Sequence, residues 1–230
     1  MFSSFDFDVI LRSLRYLFFQ GMTFTLLLTA LATAGGIVVG TLLALMRLSG
    51  YPLLAMPAAG YVNLMRSVPF VLMIFWFYFL VPYIGQWVTR AAQPLQVGAF
   101  ASCLVTFTLF EAAYFCEIMR AGIQSISRGQ VAAAQALGMT YVTTMSYIVL
   151  PQAFRNMVPV LLTQTIILFQ DTSLVYVISV TDFLGAASKI AQRDGRLVEM
   201  YLFAACVYFV ISLAASRTVQ KLQRRIAIIR

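Results

Sequence analysis

Long apolar runs, separated by short polar segments, dominate the pattern of this chain. Met22–Met46 is almost unbroken, interrupted only by Thr and Gly. At 1.5 Å per residue a helix over this run reaches ~37 Å, enough to cross a ~30 Å hydrocarbon core with tilt. Further runs over Pro69–Trp87, Val97–Met119, Tyr147–Phe169 and Tyr201–Ser216 predict four more spans. Pro69 opens the second, and Pro151 and Pro159 fall inside the fourth. Within a bilayer such interruptions survive only where neighbouring protein or a water-lined cavity satisfies the freed backbone groups. The pattern therefore predicts an all-α integral membrane protein whose helices surround a pathway. The chain is expected to form one domain over residues 1–230, with no linker and no repeat of 20–50 residues.

Ala32-Thr33-Ala34 looks like a cleavable signal site, but apolar sequence continues well past it. The segment before the first run also mixes Asp6 and Asp8 with Arg12 and Arg15, so an uncleaved span is expected. Five spans put the termini on opposite sides. With the C-terminus inside, Arg47, Arg66, Arg120, Arg128, Arg155 and the terminal Arg217, Lys221, Arg224, Arg225 and Arg230 are cytoplasmic. Arg12, Arg15, Arg90, Lys189, Arg193 and Arg196 are then external, ten basic residues against six. That agrees with the positive-inside rule, and the mixed-charge stretch Asp171–Glu199 is expected as an external loop.

Composition narrows the function. The chain has 230 residues, 61% hydrophobic and 10% charged, with a mean hydropathy of +0.88. Soluble domains carry about 25% charged residues, so this surface suits lipid rather than water. The net charge of +8 lies largely in the membrane flanks and does not point to nucleic acid. No histidine is present, which removes the commonest general base and metal ligand. The lysines, Lys189 and Lys221, follow Ser188 and Gln220, so there is no phosphate-binding Gly-Lys-Ser/Thr loop. Cys103, Cys116 and Cys206 are far apart in apolar surroundings and are expected to be buried hydrophobes. No catalytic, metal or cofactor site emerges. Energy for active transport must come from a partner or an ion gradient.

Between the third and fourth runs, Arg120–Gly138 is alanine-rich and predicts a short helix outside the membrane. Ser127 is placed to cap its start, and Gly138 suits a left-handed termination. Small side chains give such a helix a smooth surface that another protein can approach closely.

The spacing Ala132-Ala133-Ala134-x3-Gly138-x9-Ile148-Val149-Leu150-Pro151 resembles the E-A-A-x3-G-x9-I-x-L-P signature of ABC importer permeases, with Ala132 in place of the glutamate. Arg66-Ser67-Val68-Pro69, Ala113-Tyr114-x2-Glu117-Ile118-x-Arg120, Ser127-x-Gly129-Gln130, Leu150-Pro151-Gln152-Ala153 and Asp171-Thr172-Ser173-Leu174-Val175 look like the polar amino acid subfamily. Phe110–Tyr114, Phe169–Ser173 and Arg193-Asp194-Gly195 look most like a permease subunit of glutamate/aspartate importers.

The resemblance implies a type I ABC importer permease (MetI-like) bundle of about five spans with a cytoplasmic coupling helix, in the loop about 128–151. Gly129, Gln130, Ala132, Ala133, Ala134, Leu137, Gly138 and Pro151 would form the ATPase-coupling surface. The implied partners are a similar but distinct second permease, a cytoplasmic ATPase dimer that binds ATP and Mg, and a periplasmic amino-acid-binding protein. The implied location is the bacterial inner membrane, with an external N-terminus and a cytoplasmic C-terminus.

Ionisable groups within spans are costly and should face protein or water. Glu117 and Arg120 stand three apart and predict a structural ion pair on one helix face. Glu111, Gln164, Asp171, Thr172 and Ser173 are the substrate-pathway candidates. Glu111 carries a tension, since a carboxylate on the route of an acidic amino acid repels it unless something offsets the charge. Two other readings fit broken helices and buried carboxylates: an ion-coupled secondary transporter, and a structural membrane subunit with no pathway.

Overall fold

The computed structural model describes residues 5–226 and contains only helices and their connections among them. Arg230, one of the terminal basic residues, lies outside the described residues. In chain order the helices are α1 (Phe7–Leu48), α2 (Pro52–Ser67), α3 (Phe70–Thr89), α4 (Ala99–Gln124), α5 (Arg128–Ala136), α6 (Tyr141–Ile178), α7 (Phe183–Asp194) and α8 (Leu197–Ile226). Five of them, α1, α3, α4, α6 and α8, are long and apolar enough to cross a membrane. Each contains most of one of the five predicted runs.

Helix α4 is the axis of the bundle. Phe107, Ala112, Ala113, Phe115 and Cys116 on it have no exposed surface. It packs most closely on α1, where a Cβ at Gly40 would stand 2.9 Å from the Ala112 carbonyl oxygen and from Phe115 Cβ. Only a hydrogen fits there, so the glycines that interrupt the first apolar run mark a helix–helix contact. The opposite side of α1 leaves Leu27, Leu31, Leu42 and Leu45 exposed, and α8 does the same with Phe209 and Val210. These are the faces that suit acyl chains.

Several boundaries depart from expectation. The first span starts at Phe7, fifteen residues before the predicted Met22, and passes through a π-helical turn at Leu17–Met22. Charges hide this extension in the hydropathy pattern. Asp6 caps it by accepting from the Asp8 amide at 2.9 Å, and Val9, Ser13 and Leu17 bury its inner face. Pro52–Ser67 is a helix where only a connection was expected, opened by Pro52 in its first turn, where a missing N–H costs nothing. Pro159 does not interrupt α6; the irregularity comes earlier, as a π-helical turn at Met145–Val149 just before Pro151.

The expected external loop over Asp171–Glu199 is mostly structured. It holds the 3-10 close of α6 at Thr172–Ile178 and then α7. Phe183, Ala186, Ala187, Ile190 and Ala191 form a buried stripe at helical spacing that packs on the π turn of α1. At that contact a Cβ on Gly21 would lie 2.9 Å from Phe183 Cα. Asp182 caps α7, accepting from Gly185 N at 2.8 Å and Leu184 N at 3.1 Å. Cys103 and Cys116 are buried as expected, but Cys206, on α8, is exposed.

Candidate functional site

Two regions carry the polar chemistry. The first is α5 with its connections. The helix closes in a Schellman turn: Met139 N donates to Ala134 O at 3.1 Å and Gly138 N to Gln135 O at 2.9 Å. Gly138 supplies the left-handed backbone at φ +80°, as its place in the sequence predicts. Ser127 stands at the N-cap position, but its side chain makes no capping bond; its carbonyl instead accepts from Gln130 N at 3.1 Å.

Ala134 is buried beneath α5, whereas Gly129, Ala132, Ala133 and Gly138 are exposed and Leu137 is 83% exposed. The outer face is thus small side chains ending in one projecting leucine. Gln130 points the other way, accepting at 2.6 Å from Gln152 Nε2, which also donates to Ile148 O at 2.8 Å. Pro151 is exposed beside that link. A second tie joins the end of α4 to α6, where Asn156 Nδ2 donates to Ser125 Oγ at 2.8 Å. Helix α5 is therefore fastened to the membrane bundle through amide side chains on α6.

Above it, Glu117 is the centre of an ion cluster. Arg120 grips one carboxylate oxygen through Nη2 at 2.7 Å and Nε at 3.1 Å, the pair expected from their spacing. Arg47, at the end of α1, pairs with the other oxygen. Nothing in local spacing announces that second partner, because it comes from a different helix.

The second region is a cleft of about 440 Å³ at the break between α2 and α3. Val68 and Pro69 are extended there, at φ −106°, ψ 136° and φ −56°, ψ 132°. Pro69 has no N–H to leave unpaired, and its ring disfavours helix at the residue before it. Arg66, Phe110, Tyr114, Gln164 and Asp171 line the cleft with this break. Phe70 stacks on Phe110 at 4.0 Å between centroids, Phe110 contacts Tyr114 at 5.2 Å, and the Arg66 guanidinium lies 5.4 Å over the Tyr114 ring.

The sequence-based pathway candidates separate here. Gln164 and the half-buried Asp171 face the cleft. Glu111 has 0% exposure, and its two oxygens accept from Gln164 Nε2 at 3.1 and 3.4 Å. Thr172 is also fully buried, its hydroxyl donating to Phe169 O at 2.7 Å, and Ser173 is half-buried outside the cleft lining. Arg66, expected from the sequence among the cytoplasmic basic residues and within a motif but not as a pathway residue, stands on the cleft wall. Among the described residues no group of three or more Asp, Glu or Cys side chains is arranged to hold a metal ion.

Residues 36–228 match the family described as binding-protein-dependent transport system inner membrane component. The chain belongs to that family. The match includes the α1–α4 packing, the cleft and α5, and it disfavours both the secondary-transporter and the structural-subunit readings. This family member is similar to the glutamate/aspartate import permease protein GltK of Escherichia coli O6:H1, with 55% identity over 223 residues, 97% of this chain and 99% of that protein. It is 32% identical over 213 residues to the glutamine transport system permease protein GlnP of Escherichia coli K12, covering 93% of this chain and 94% of that one. Among solved structures, that of an amino acid ABC transporter with histidines aligns with a TM-score of 0.85 at 31% identity, over 96% of this chain and 98% of that one. The MetNI methionine ABC transporter in an inward-facing conformation shares the fold, with a TM-score of 0.72 at 19% identity over 93% of this chain and 97% of that one. The chain is thus a multi-pass inner-membrane permease of the polar amino acid ABC type, with the expected all-helical MetI-like bundle.

Proposed function

We propose that this permease forms half of the translocation pathway of an ATP-driven importer for glutamate and aspartate. The observation that carries the substrate is the 55% identity to GltK across nearly the whole of both chains. The subunit itself is non-catalytic and binds no cofactor. ATP and Mg are held by a cytoplasmic ATPase dimer, a second and distinct permease completes the core, and a periplasmic binding protein delivers the amino acid. The N-terminus is periplasmic and the C-terminus cytoplasmic, with residues 1–230 acting as one permease domain.

The geometry supports a division of labour. The exposed small-residue face of α5, from Gly129 through Ala132, Ala133 and Leu137 to Gly138, is the docking surface for the ATPase. Closure of the ATPase dimer favours one of two arrangements of the bundle, and the links Gln130–Gln152 and Ser125–Asn156 carry that preference into α6. Helix α6 also bears Gln164 and Asp171, so a shift at α5 reaches the cleft wall along one rigid element. Glu117 with Arg47 and Arg120 holds the adjacent ends of α1 and α4 together during that shift.

ATP-driven uptake by the reconstituted complex tests the reading. Labelled glutamate and aspartate are expected to accumulate, and arginine, histidine and glutamine are not. Uptake confined to basic or amide side chains would remove the substrate assignment and leave the importer assignment standing.

A further inference from the structure

A further cavity, of about 380 Å³, lies at the end of the bundle away from α5, between the close of α6, α7 and the first turns of α8. Its polar wall is made by Tyr176, Ser179, Ser188, Lys189, Gln192 and Tyr201. Among the described residues Lys189 is the one charged group on that wall. At the same end Arg12, Arg193 and Arg196 all meet carboxylates, whereas the bond of Lys189 goes to the neutral Thr181 hydroxyl. Asp182 is fully buried in the α7 cap and stands off the lining. We propose that this cavity holds the phosphate headgroup of an anionic phospholipid of the phosphatidylglycerol type. Such a site is independent of the amino acid carried.

A phosphodiester carries two anionic oxygens, and the wall supplies donors for both. An ammonium group has three N–H donors, so two on Lys189 remain after Thr181 is served. Gln192 Nε2 donates to Ser188 Oγ at 3.1 Å, and Ser188 shares a 3.1 Å bond with the Tyr201 hydroxyl. When this relay runs from Gln192 through Ser188 to Tyr201, the Tyr201 proton is left to give to an acceptor in the cavity. The Tyr176 hydroxyl bonds to no other described residue. Ser179 joins the wall with a left-handed backbone, at φ +62°, a conformation that a residue other than glycine seldom adopts. Bonds from an ammonium group to phosphate are charge-assisted and stronger than neutral ones.

Position favours a lipid over a soluble phosphate. Tyr176 closes one span and Tyr201 opens the next, and tyrosine is enriched at this level, the interface of a bilayer. Along α8 from Tyr201, Ala205 and Phe209 follow at one-turn intervals, and all three are exposed. They extend the cavity wall as an apolar track for an acyl chain. One molecule can therefore place its phosphate at Lys189 and its tail along α8. The apolar stem of Lys189 suits the same boundary, since it tolerates acyl chains while the ammonium stays among headgroups. A zwitterionic headgroup brings its own cation beside the phosphate, where Lys189 repels it, so the anionic lipid is preferred.

The test uses the complex with its partner permease and ATPase, delipidated in detergent, with bound molecules counted by native mass spectrometry. Phosphatidylglycerol, phosphatidylcholine and glycerol phosphate are the titrants. The wild type is expected to bind its first phosphatidylglycerol about tenfold more tightly than phosphatidylcholine, and glycerol phosphate more weakly still. Lys189→Gln should weaken that first step about tenfold, the worth of one charged hydrogen bond, and Lys189→Arg should retain it. Lys221→Gln removes the same charge from the other end of α8 and should leave the step unchanged. Lys189 is exposed, so assembly is expected to survive. Gel filtration checks this, and Tyr201→Phe replaces a variant that fails, with a severalfold loss expected. Equal binding of phosphatidylglycerol by wild type and an assembled Lys189→Gln complex would overturn the site. Glycerol phosphate bound as tightly as the lipid, and lost in Lys189→Gln, would assign the cavity to a soluble phosphate and overturn the lipid. Weaker capture of the periplasmic binding protein by Lys189→Gln, at unchanged lipid affinity, would give Lys189 to a carboxylate of that protein and overturn it too. None of these measurements involves transport, so a failure of the acidic-substrate reading leaves the lipid site standing.

Discussion

Arg47 at the end of α1 pairs with Glu117 on α4, joining two spans across a sequence separation of 70 residues. Both side chains are largely withdrawn from solvent, at 16% and 17% exposure. Glu117 is also gripped by Arg120, so its removal leaves two guanidinium groups without their shared acceptor. Breaking a part-buried pair from one side is costly because the remaining charge stays desolvated. Glu117→Gln is expected to lower stability by about 1–3 kcal/mol, read as an earlier loss of the monodisperse peak on heating in detergent. A cycle with Arg47→Gln separates the two arginines. The double variant should cost less than the sum of the singles.

Gly138 tests whether conformation or space matters at the end of α5. No atom lies within 4 Å of the position a Cβ would take, so a side chain meets no steric obstacle. The backbone at φ +80° is what penalises other residues, by roughly 1–2 kcal/mol for most L side chains and less for asparagine. Gly138→Val should therefore reduce ATPase association or substrate-stimulated hydrolysis while the protein still inserts. Gly138→Asn should retain more of both. Equal behaviour of the two variants would show that the turn conformation is not what couples the subunits.

Much of this architecture is legible in the sequence, because its dominant signal is long. Runs of apolar residues as long as Met22–Met46 have no alternative to spanning a bilayer. The Schellman turn at Gly138 and the Glu117–Arg120 pair are equally visible, since both depend on local spacing. The helix Phe7–Tyr16 and α7 were hidden by their polar faces, although the stripe Phe183, Ala186, Ala187, Ile190, Ala191 has helical periodicity. What could not be read were relations between distant helices: Arg47 with Glu117, Gln164 with Glu111, and Arg66 facing the cleft that contains Asp171. Motif spacing marks such residues as notable without saying which of them meet.

The polar cap of α7 gives a pH dependence. Burial pushes the Asp182 carboxyl up from 3.8 to about 6, against the pull of its bonds from Gly185, Leu184 and Tyr208. A carboxyl raised in the folded state favours folding while it is protonated. Its contribution is full below about 4 and is lost as pH rises through about 6. Thermal stability in detergent should accordingly show a downward step across that window. Asp182→Asn removes the titration while keeping a side-chain oxygen for the cap, and should flatten the step. A step of the same size in the variant would assign it to another group.

The orientation of the bundle follows from fusions at its two ends. A reporter active only in the cytoplasm should work when attached after Arg230, and one active only in the periplasm should work near Pro94, between α3 and α4. The described basic residues of the last helix, Arg217, Lys221, Arg224 and Arg225, supply the charge asymmetry behind this expectation. Reversed activities would exchange the sides and move α5 away from any cytoplasmic ATPase.

Gln164 and Glu111 should prove dependent on each other. Glu111 is fully buried and Gln164 is its hydrogen-bond donor, so Gln164→Leu strands a carboxyl with neither water nor partner. An unsatisfied buried acceptor costs about 1–3 kcal/mol, more than the bond itself contributes. Replacing both residues with leucine removes the stranded group and leaves apolar surfaces in contact. The double variant is expected to be more stable than Gln164→Leu alone, although it lacks two polar residues rather than one. Transport should respond differently. Gln164 lines the cleft, so both leucine variants at position 164 should bind amino acid more weakly whatever their stability. Glu111→Gln keeps a polar partner for Gln164 but lets its amide turn either way. It should preserve the fold and weaken binding by less than Gln164→Leu does. Stability tracking transport across all three variants would reduce the pair to a packing role. Stability restored in the double variant while binding stays weak would separate the buried support from the surface that meets the cargo.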